Sequence, residues 1–573
     1  MTVFGSFIRG VVSWIGPGSK QFDLIRIYAL GALIGFFFLF FGDISVENGA
    51  ADYVQLALAI VGDASLKGQV LNGGQGRDIG MALIWLISGY LYTHSFIGVI
   101  AIQVLMGLTM PLLCYLALRP WFPRAAYWTT LAGTLSLAPI LLSKLIHHDQ
   151  PYIFFTIVSL YVFNRFMLTT RPRSLYILSI SVFAVDLMRQ AGTGLFWILL
   201  PICAFHGGRR NYKHITFATA IFIGANFAYT QYISNLMGNT ESEIGGVTGP
   251  GIQLFYNIYT NSSEFGVSLS PRLGPSVSLI LNRLHQCSLP SPAQSKLLAN
   301  WPGPAQFSNE NIYRYTADEL VNKVATQSNR EYYYLIMQCV AAHPSELDRI
   351  LLNASLEIAR VHPLYILELF LRNSLELLYD PGWLHGRFTT APQFQGGLIF
   401  PFGDNVRVEQ GGNIGDTRFA QRALSEASFI PLERQPQFVA DLYFSIHQIW
   451  YRYYHPITIV LGCLAWFSWF STALGLLQQW TGAAWLTRCS SRWLSDRVIP
   501  ASIGISALLL WNVAIVAIAV EPLYRYDFGL LTLKIMLAGV GVVVFLNLAQ
   551  RAIWLLRMRL KMLVHHSGEP IKG

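Results

Sequence analysis

DISVENGAADYVQLALAIVGDASLKGQVLNGGQGRD, Asp43 to Asp78, directly follows the first strongly apolar run of the chain. It holds five carboxylates, Asp43, Glu47, Asp52, Asp63 and Asp78, against two cations, Lys67 and Arg77. Between the acids, Tyr53, Leu56, Ala57 and Ile60 recur at helical spacing. That spacing predicts a short amphipathic helix lying at a membrane surface, with acids held beside the apolar phase. The competing reading is an ordinary solvated connection.

The flanking composition supplies the membrane. Of 573 residues, 53% are hydrophobic and 12% are charged, and the mean hydropathy is +0.42. A soluble chain carries about 25% charged residues. Several runs approach the ~20 apolar residues that cross a bilayer. The formal charge of +9 does not point to nucleic acid, because the basic residues lie mostly in short loops between apolar runs. Residues 1–24 lack the compact apolar core and small-residue cleavage site of a signal peptide. The six cysteines form no CxxC pair. Cys114, Cys203 and Cys463 fall in or beside apolar runs and read as packing residues. Cys287 and Cys339 lie in the large polar region, as a disulfide or as two free thiols.

Apolar segments are expected near 24–41, 97–118, 125–146, 151–168, 174–188, 193–206, 214–233, 456–478, 499–520 and 528–550. Residues 76–96 are apolar but short and bounded by glycine, which predicts a re-entrant or surface helix. The positive-inside rule decides the matter. If 78–93 does not span, the cytoplasmic loops collect Arg119 and Arg124, Arg165, Arg171 and Arg173, Arg209, Arg210 and Lys213, Arg488, Arg492 and Arg497, and a basic tail. The opposite side then holds isolated cations, Lys144, Arg189 and Arg525. The expectation is about ten spans with both termini cytoplasmic. Three units follow: a transmembrane module over 1–235, a soluble, mainly helical insertion on the outer face over 236–450, and a transmembrane module over 451–573. Within the insertion, Thr316 with Glu319 reads as a capping box, Ser345 as a cap, and 362–379 as an amphipathic helix on the membrane surface. Asn261 and Asn353 are weak matches to the glycosylation pattern.

Five polar features share the outward face: the acidic loop, KLIHHDQPY, DLMRQ, the insertion and EPLYRYD. Asp149 opens a span there, either as a functional carboxylate or as the cap of its own helix. His148 beside it is a candidate metal ligand. Arg189 and Arg525 suit a lipid phosphate, since guanidinium binds phosphate with fork geometry and keeps its charge at a bilayer edge. Interfacial anchoring, with Tyr524 and Tyr526 as belt aromatics, is the alternative.

The order of these features resembles GT-C superfamily glycosyltransferases, which include protein O-mannosyltransferases and the lipid A aminoarabinose transferase. Tyr53 and Ala57 match a helix in the family's acidic first loop, and Arg77, Asp78 and Gly80 match the approach to a second surface helix. Asp149, Arg189, and Arg525 with Tyr526 match later outward motifs. Ala50 and Ala51 stand where the family acid usually precedes the tyrosine. Asp52, Glu47 and Asp43 therefore all remain candidates, with Asp52 preferred because it abuts Tyr53. Ile79 replaces the usual proline.

The resemblance implies an α-helical polytopic membrane protein with a GT-C-like helix bundle in a bacterial inner membrane. It would move a sugar from a polyprenyl-phosphate donor to a hydroxyl of a glycan, lipid or protein acceptor, with inversion at the anomeric carbon. Asp52, Asp43 and Asp149 would carry catalysis. Glu47, Tyr53, Arg77, Arg189, Arg525 and Tyr526 would bind substrate. Asp149 and His148 would hold a divalent cation, Mg or Mn, if one takes part. Two competing readings are a lipid-linked-sugar transporter or flippase, and an O-antigen polymerase or ligase using His362, His385 and Arg387.

Overall fold

The computed structural model describes residues 17–41, 45–46, 53, 56–57, 60–62, 79–93, 97–136, 145–146, 149–189, 191–208, 211–236, 250–287, 336, 339–340, 344–379, 456–467, 498–519 and 524–566. The chain is an α-helical polytopic membrane protein. Its first half contributes α1 (Lys20–Phe41), strand β1 (Ser45–Val46), α2 (Ile79–Ile87), α3 (Tyr90–Thr93), α4 (Ile97–Leu118), α5 (Pro123–Leu135), strand β2 (Leu145–Ile146), α6 (Asp149–Thr169), α7 (Pro172–Met188), α8 (Gly192–Gly207) and α9 (Tyr212–Leu236). The insertion adds α10 (Pro250–Asn261), α11 (Pro275–Gln286), α12 (Pro344–Val361) and α13 (Pro363–Tyr379). The chain then returns to the bundle with α14 (Pro456–Phe467), α15 (Ile499–Ala519) and α16 (Tyr524–His566).

Among the described residues, four helices are long and apolar enough to cross a membrane: Ile97–Leu118, Asp149–Thr169, and the stretches Ile499–Ala517 of α15 and Leu530–Met558 of α16. The other expected segments are helical where described, but several are short: α7 has 17 residues and α8 has 16. The segment expected over 125–146 is not one helix. α5 stops at Leu135, where the Ser136 backbone N–H bonds the Ala132 and Thr134 carbonyls and its hydroxyl bonds the Gly133 carbonyl. Pro139 lies just beyond, and proline disfavours helix both at its own position and at the residue before it.

β1 pairs in parallel with β2, with Ser45 opposite Leu145 and Val46 opposite Ile146. This pairing ties the start of the acidic loop to the backbone three residues ahead of Asp149. The described positions Tyr53, Leu56, Ala57 and Ile60 are helical, and the first three are buried in the main core. The repeat read from the sequence is thus an inward face. α2 has nine residues, about 14 Å at 1.5 Å per residue, too short for a ~30 Å hydrocarbon layer. It breaks at Ser88 and Gly89, the latter with φ +73°.

Among the described residues the two larger hydrophobic cores are separate, with a small third cluster of Leu531 and Ile535 beside Ala132. The larger joins the bundle helices. The smaller belongs to the insertion, with Ile252, Phe255 and Tyr259 of α10 packed among Ile280 and Leu284 of α11 and Leu347, Leu351 and Ile358 of α12. Helix α12 also caps its two neighbours across space. Its Asp348 accepts from the Ile252 N–H at 2.9 Å, at the start of α10. Its Glu357 accepts from the Ser276 and Val277 N–H groups at 2.9–3.0 Å, at the start of α11. Carboxylates at helix N-termini satisfy orphan donors and complement the dipole. Burial pushes the Asp348 carboxyl above its usual range, opposed by its bonds to the Ile252 and Gly251 backbone. α12 starts at Pro344, one residue before the Ser345 cap expected from the sequence. The Thr316 and Glu319 capping box lies outside the described residues.

Cys287 and Cys339 form a disulfide, with Cα atoms 5.6 Å apart. Beside it, Arg283 bonds the Val340 carbonyl and pairs with Glu346 at 3.0 Å. Cys114 and Cys203 are buried as expected of packing residues, but Cys463 is exposed on α14. Asn261 is engaged internally: it donates to the Asn257 carbonyl at 2.7 Å and accepts from Arg372 at 2.6 Å.

The insertion holds the bundle by reciprocal capping. Near the C-terminus of α15, the Ala517 carbonyl accepts from Asn257 of α10 at 3.0 Å and from Asn373 of α13 at 3.1 Å. In return, Lys534 of α16, 5% exposed, donates to the Leu377 carbonyl in the last turn of α13. Replacing Asn257 and Asn373 together by alanine strips a buried carbonyl of both amide donors, at a cost of about 1–3 kcal/mol. The double variant is expected to melt at a lower temperature in detergent than either single variant, since one remaining amide still serves Ala517. A thermal unfolding series on the three proteins checks this.

Candidate active site

A cavity with an empty volume of about 440 Å³ opens where α6 begins, α7 ends and α15 meets the start of α16. Its polar lining is Asp149, Tyr152 and Thr156 from α6, Arg189 from the α7–α8 turn and Asn512 from α15. Its apolar lining is Ile153 and Ile157 of α6, Val516 of α15, and Leu530 and Leu533 of α16.

Asp149, Tyr152, Ile153, Thr156 and Ile157 share one face because they sit at i, i+3, i+4, i+7 and i+8 of one helix. Asp149 is the first residue of α6 and only 3% exposed. A buried carboxylate at a helix N-terminus is partly stabilised by the dipole, so the capping and functional readings share the same geometry. Tyr152 donates to the Asn512 side-chain oxygen, and Asn512 in turn donates to the Leu508 carbonyl at 2.7 Å. The Arg189 guanidinium carbon lies 5.6 Å from the centre of the Tyr152 ring, a cation–π placement.

Arg189 is held by its turn. It is the C-terminal cap of α7, in extended backbone with φ −164° and ψ 130°, and its N–H bonds the Val185 carbonyl. Asp186, one turn back, accepts from the Thr193 N–H at 3.0 Å and its hydroxyl at 2.7 Å, which staples α7 to the first turn of α8. Trp511 of α15 donates to the Ala191 carbonyl at 2.9 Å. Gly194 lies beneath this indole, and a Cβ there would come 1.9 Å from the Trp511 ring. Only glycine permits that approach. Asp186, read from the sequence merely as a neighbour of Arg189, therefore fixes the turn that presents it.

The structure thus brings Asp149 and Arg189 into one cavity. Tyr53 is not in its lining; it is 1% exposed within the bundle core. Arg525 and Tyr526 are not in a loop, as the sequence reading had them. They occupy the first turn of α16, which begins at Tyr524, the same end of the helix that supplies Leu530 and Leu533 to the cavity. Asp43, Glu47, Asp52, Arg77 and His148 lie outside the described residues, as do His385 and Arg387. His362 stands at the elbow between α12 and α13 on the insertion, away from the cavity lining. Sequence reasoning missed Asn512 and Lys534. Each is a lone polar residue in an apolar run, WNVAIV and LTLKIML, and such residues inside spans are usually functional or paired.

Among the described residues no group of three or more His, Cys, Asp or Glu side chains is arranged to hold a metal ion. Among the described residues that line the cavity, Asp149 is the one carboxylate.

No family model matches the chain, and no curated protein matches it. The crystal structure of ArnT from Cupriavidus metallidurans in the apo state aligns over 87% of this chain and 78% of that chain, at 11% identity and a TM-score of 0.32. A likeness that distant carries no argument about fold or activity.

Asp186→Ala removes the acceptor for both Thr193 donors and is expected to cost about 1 kcal/mol, the usual value of a lost helix cap. Asp186→Asn keeps an acceptor oxygen and is expected to lose less. Thermal midpoints of the two variants in nanodiscs test the order.

Proposed function

We propose that this chain is a membrane glycosyltransferase of the GT-C type, moving a sugar from a polyprenyl-phosphate donor to an acceptor hydroxyl on the extracytoplasmic face. The observation that carries the reading is the cavity shared by Asp149 and Arg189, which the sequence resemblance independently assigned to successive outward motifs. Its mixed lining suits an amphiphilic donor: a guanidinium and a phenol for phosphate and sugar, and leucine, isoleucine and valine for the start of a lipid tail.

In this reading a carboxylate takes the proton of the acceptor hydroxyl as its oxygen attacks the anomeric carbon. The bond from that carbon to the phosphate oxygen breaks, and polyprenyl phosphate departs with the electron pair. Arg189, with Arg525 at the start of α16, stabilises the growing phosphate charge. Attack opposite the leaving group inverts the anomeric carbon. Asp52 and Asp43 of the first loop are the candidate bases; the described strand Ser45–Val46 pairs with Leu145–Ile146, just ahead of Asp149. Asp149 acts either as base or by orienting the acceptor. The Cys287–Cys339 disulfide supports an oxidising compartment for the insertion, which would provide acceptor recognition.

The test is transfer of radiolabelled sugar from a polyprenyl-phosphate donor in membranes holding equal amounts of each variant. Asp149→Asn and Asp52→Asn are expected to lower turnover ~10²-fold or more if the residue is the base. Arg189→Ala is expected to lose ~10²-fold, as for removal of one charge-stabilising donor. Full activity in all three variants would reject the reading.

A further inference from the structure

The geometry points to a membrane-seated face on the insertion: the outer side of α13 lies in the lipid interface beside the bundle. This does not rest on the transferase reading. Leu364, Leu367, Leu371 and Leu375 are 77%, 51%, 49% and 61% exposed. At 3.6 residues per turn they cover an arc of about 80° on the helix surface. The opposite face is fully used. Tyr365 and Leu369 enter the insertion core, and Asn373 and Leu377 join the bundle through Ala517 and Lys534. α13 is therefore a helix with one face committed to protein and a leucine face left to its surroundings.

Two observations select lipid as the occupant. Ala517 and Lys534 both belong to stretches long and apolar enough to span the bilayer, Ile499–Ala517 and Leu530–Met558. Their bonds fix the C-terminal half of α13 at the depth where those spans reach the membrane edge. The leucine face lies on the side of α13 away from those bonds. Second, α12 and α13 meet at an angle of 106°, so the two helices do not form one straight span, and a helix bent away from its neighbour in this way can lie along the boundary. Glu368 stands exposed at the margin of the stripe. A carboxylate there suits a helix seated at headgroup depth and opposes one plunged into the hydrocarbon. The lipid contact and the two caps together clamp the insertion over the bundle end that contains the cavity.

The experiment uses the full chain with Cys463 and Cys489 replaced by serine, reconstituted in phosphatidylcholine vesicles. Single variants Leu364→Cys, Leu367→Cys, Leu371→Cys and Leu375→Cys are labelled with bimane, with Leu356→Cys on α12 as the reference outside the stripe. Vesicles with acyl chains brominated at different depths are expected to quench the four stripe positions several-fold more than position 356. Quenching should peak for bromines near the headgroup boundary, within the ~5–10 Å burial of interfacial helices. A blue-shifted bimane that brominated lipid does not quench would mean that protein covers the stripe and would overturn the proposal. So would a water-like emission at all four positions, or quenching that peaks at the bilayer centre.

Discussion

Everything about the cavity depends on helix ends that are completed by another part of the chain. A helix leaves its last carbonyls without partners, and beside an apolar phase an unsatisfied carbonyl is expensive. α15 meets that requirement at Ala517 with two amides from the insertion, and α13 meets it at Leu377 with the ammonium of Lys534. The cavity walls Val516 and Leu533 are sequence neighbours of Ala517 and Lys534, so the bonds that seat the insertion also set the separation of α15 and α16 at the mouth of the site.

A second layer of constraint orients the charges. Arg189 sits on a turn that would be free to swing were it not stapled by Asp186 to Thr193 and by Trp511 to Ala191. The close approach at Gly194 makes this possible, because the indole must come within reach of the Ala191 carbonyl. Tyr152 completes the arrangement from α6, with its hydroxyl committed to Asn512 and its ring facing the guanidinium. Charge placement in a site of low polarity is worth most when it is built in before the ligand arrives.

Much of this was legible in the amino-acid order. Apolar runs and Arg/Lys loops predicted a helical bundle with Asp149 and Arg189 on one side, and helical spacing predicted a helix through Tyr53, Leu56 and Ala57 and the amphipathic character of 362–379; the spacing was read as a membrane-surface helix, whereas these three side chains enter the bundle core. The misses share a cause. Asn512 meets Tyr152 across 360 positions and Lys534 meets Leu377 across 157, and no local pattern announces such pairs. The segment EPLYRYD is charged and aromatic and reads as a connection between spans, yet α16 already begins at Tyr524. The expected helix over 125–146 failed for the converse reason: hydropathy continued past the point where the backbone could.

The cross-space caps of α12 bear on the order in which the insertion acquires its shape. α10 and α11 have twelve residues each, a length at which isolated helices are marginal in water. The carboxylates that complete them arrive late, Asp348 ninety-six positions after Ile252 and Glu357 eighty-one after Ser276. During synthesis the leading part of the insertion must therefore wait, loosely formed, until α12 emerges and closes both helices at once. The apolar seam between α10 and α11 stands open to chaperones or neighbouring chains for as long as that takes.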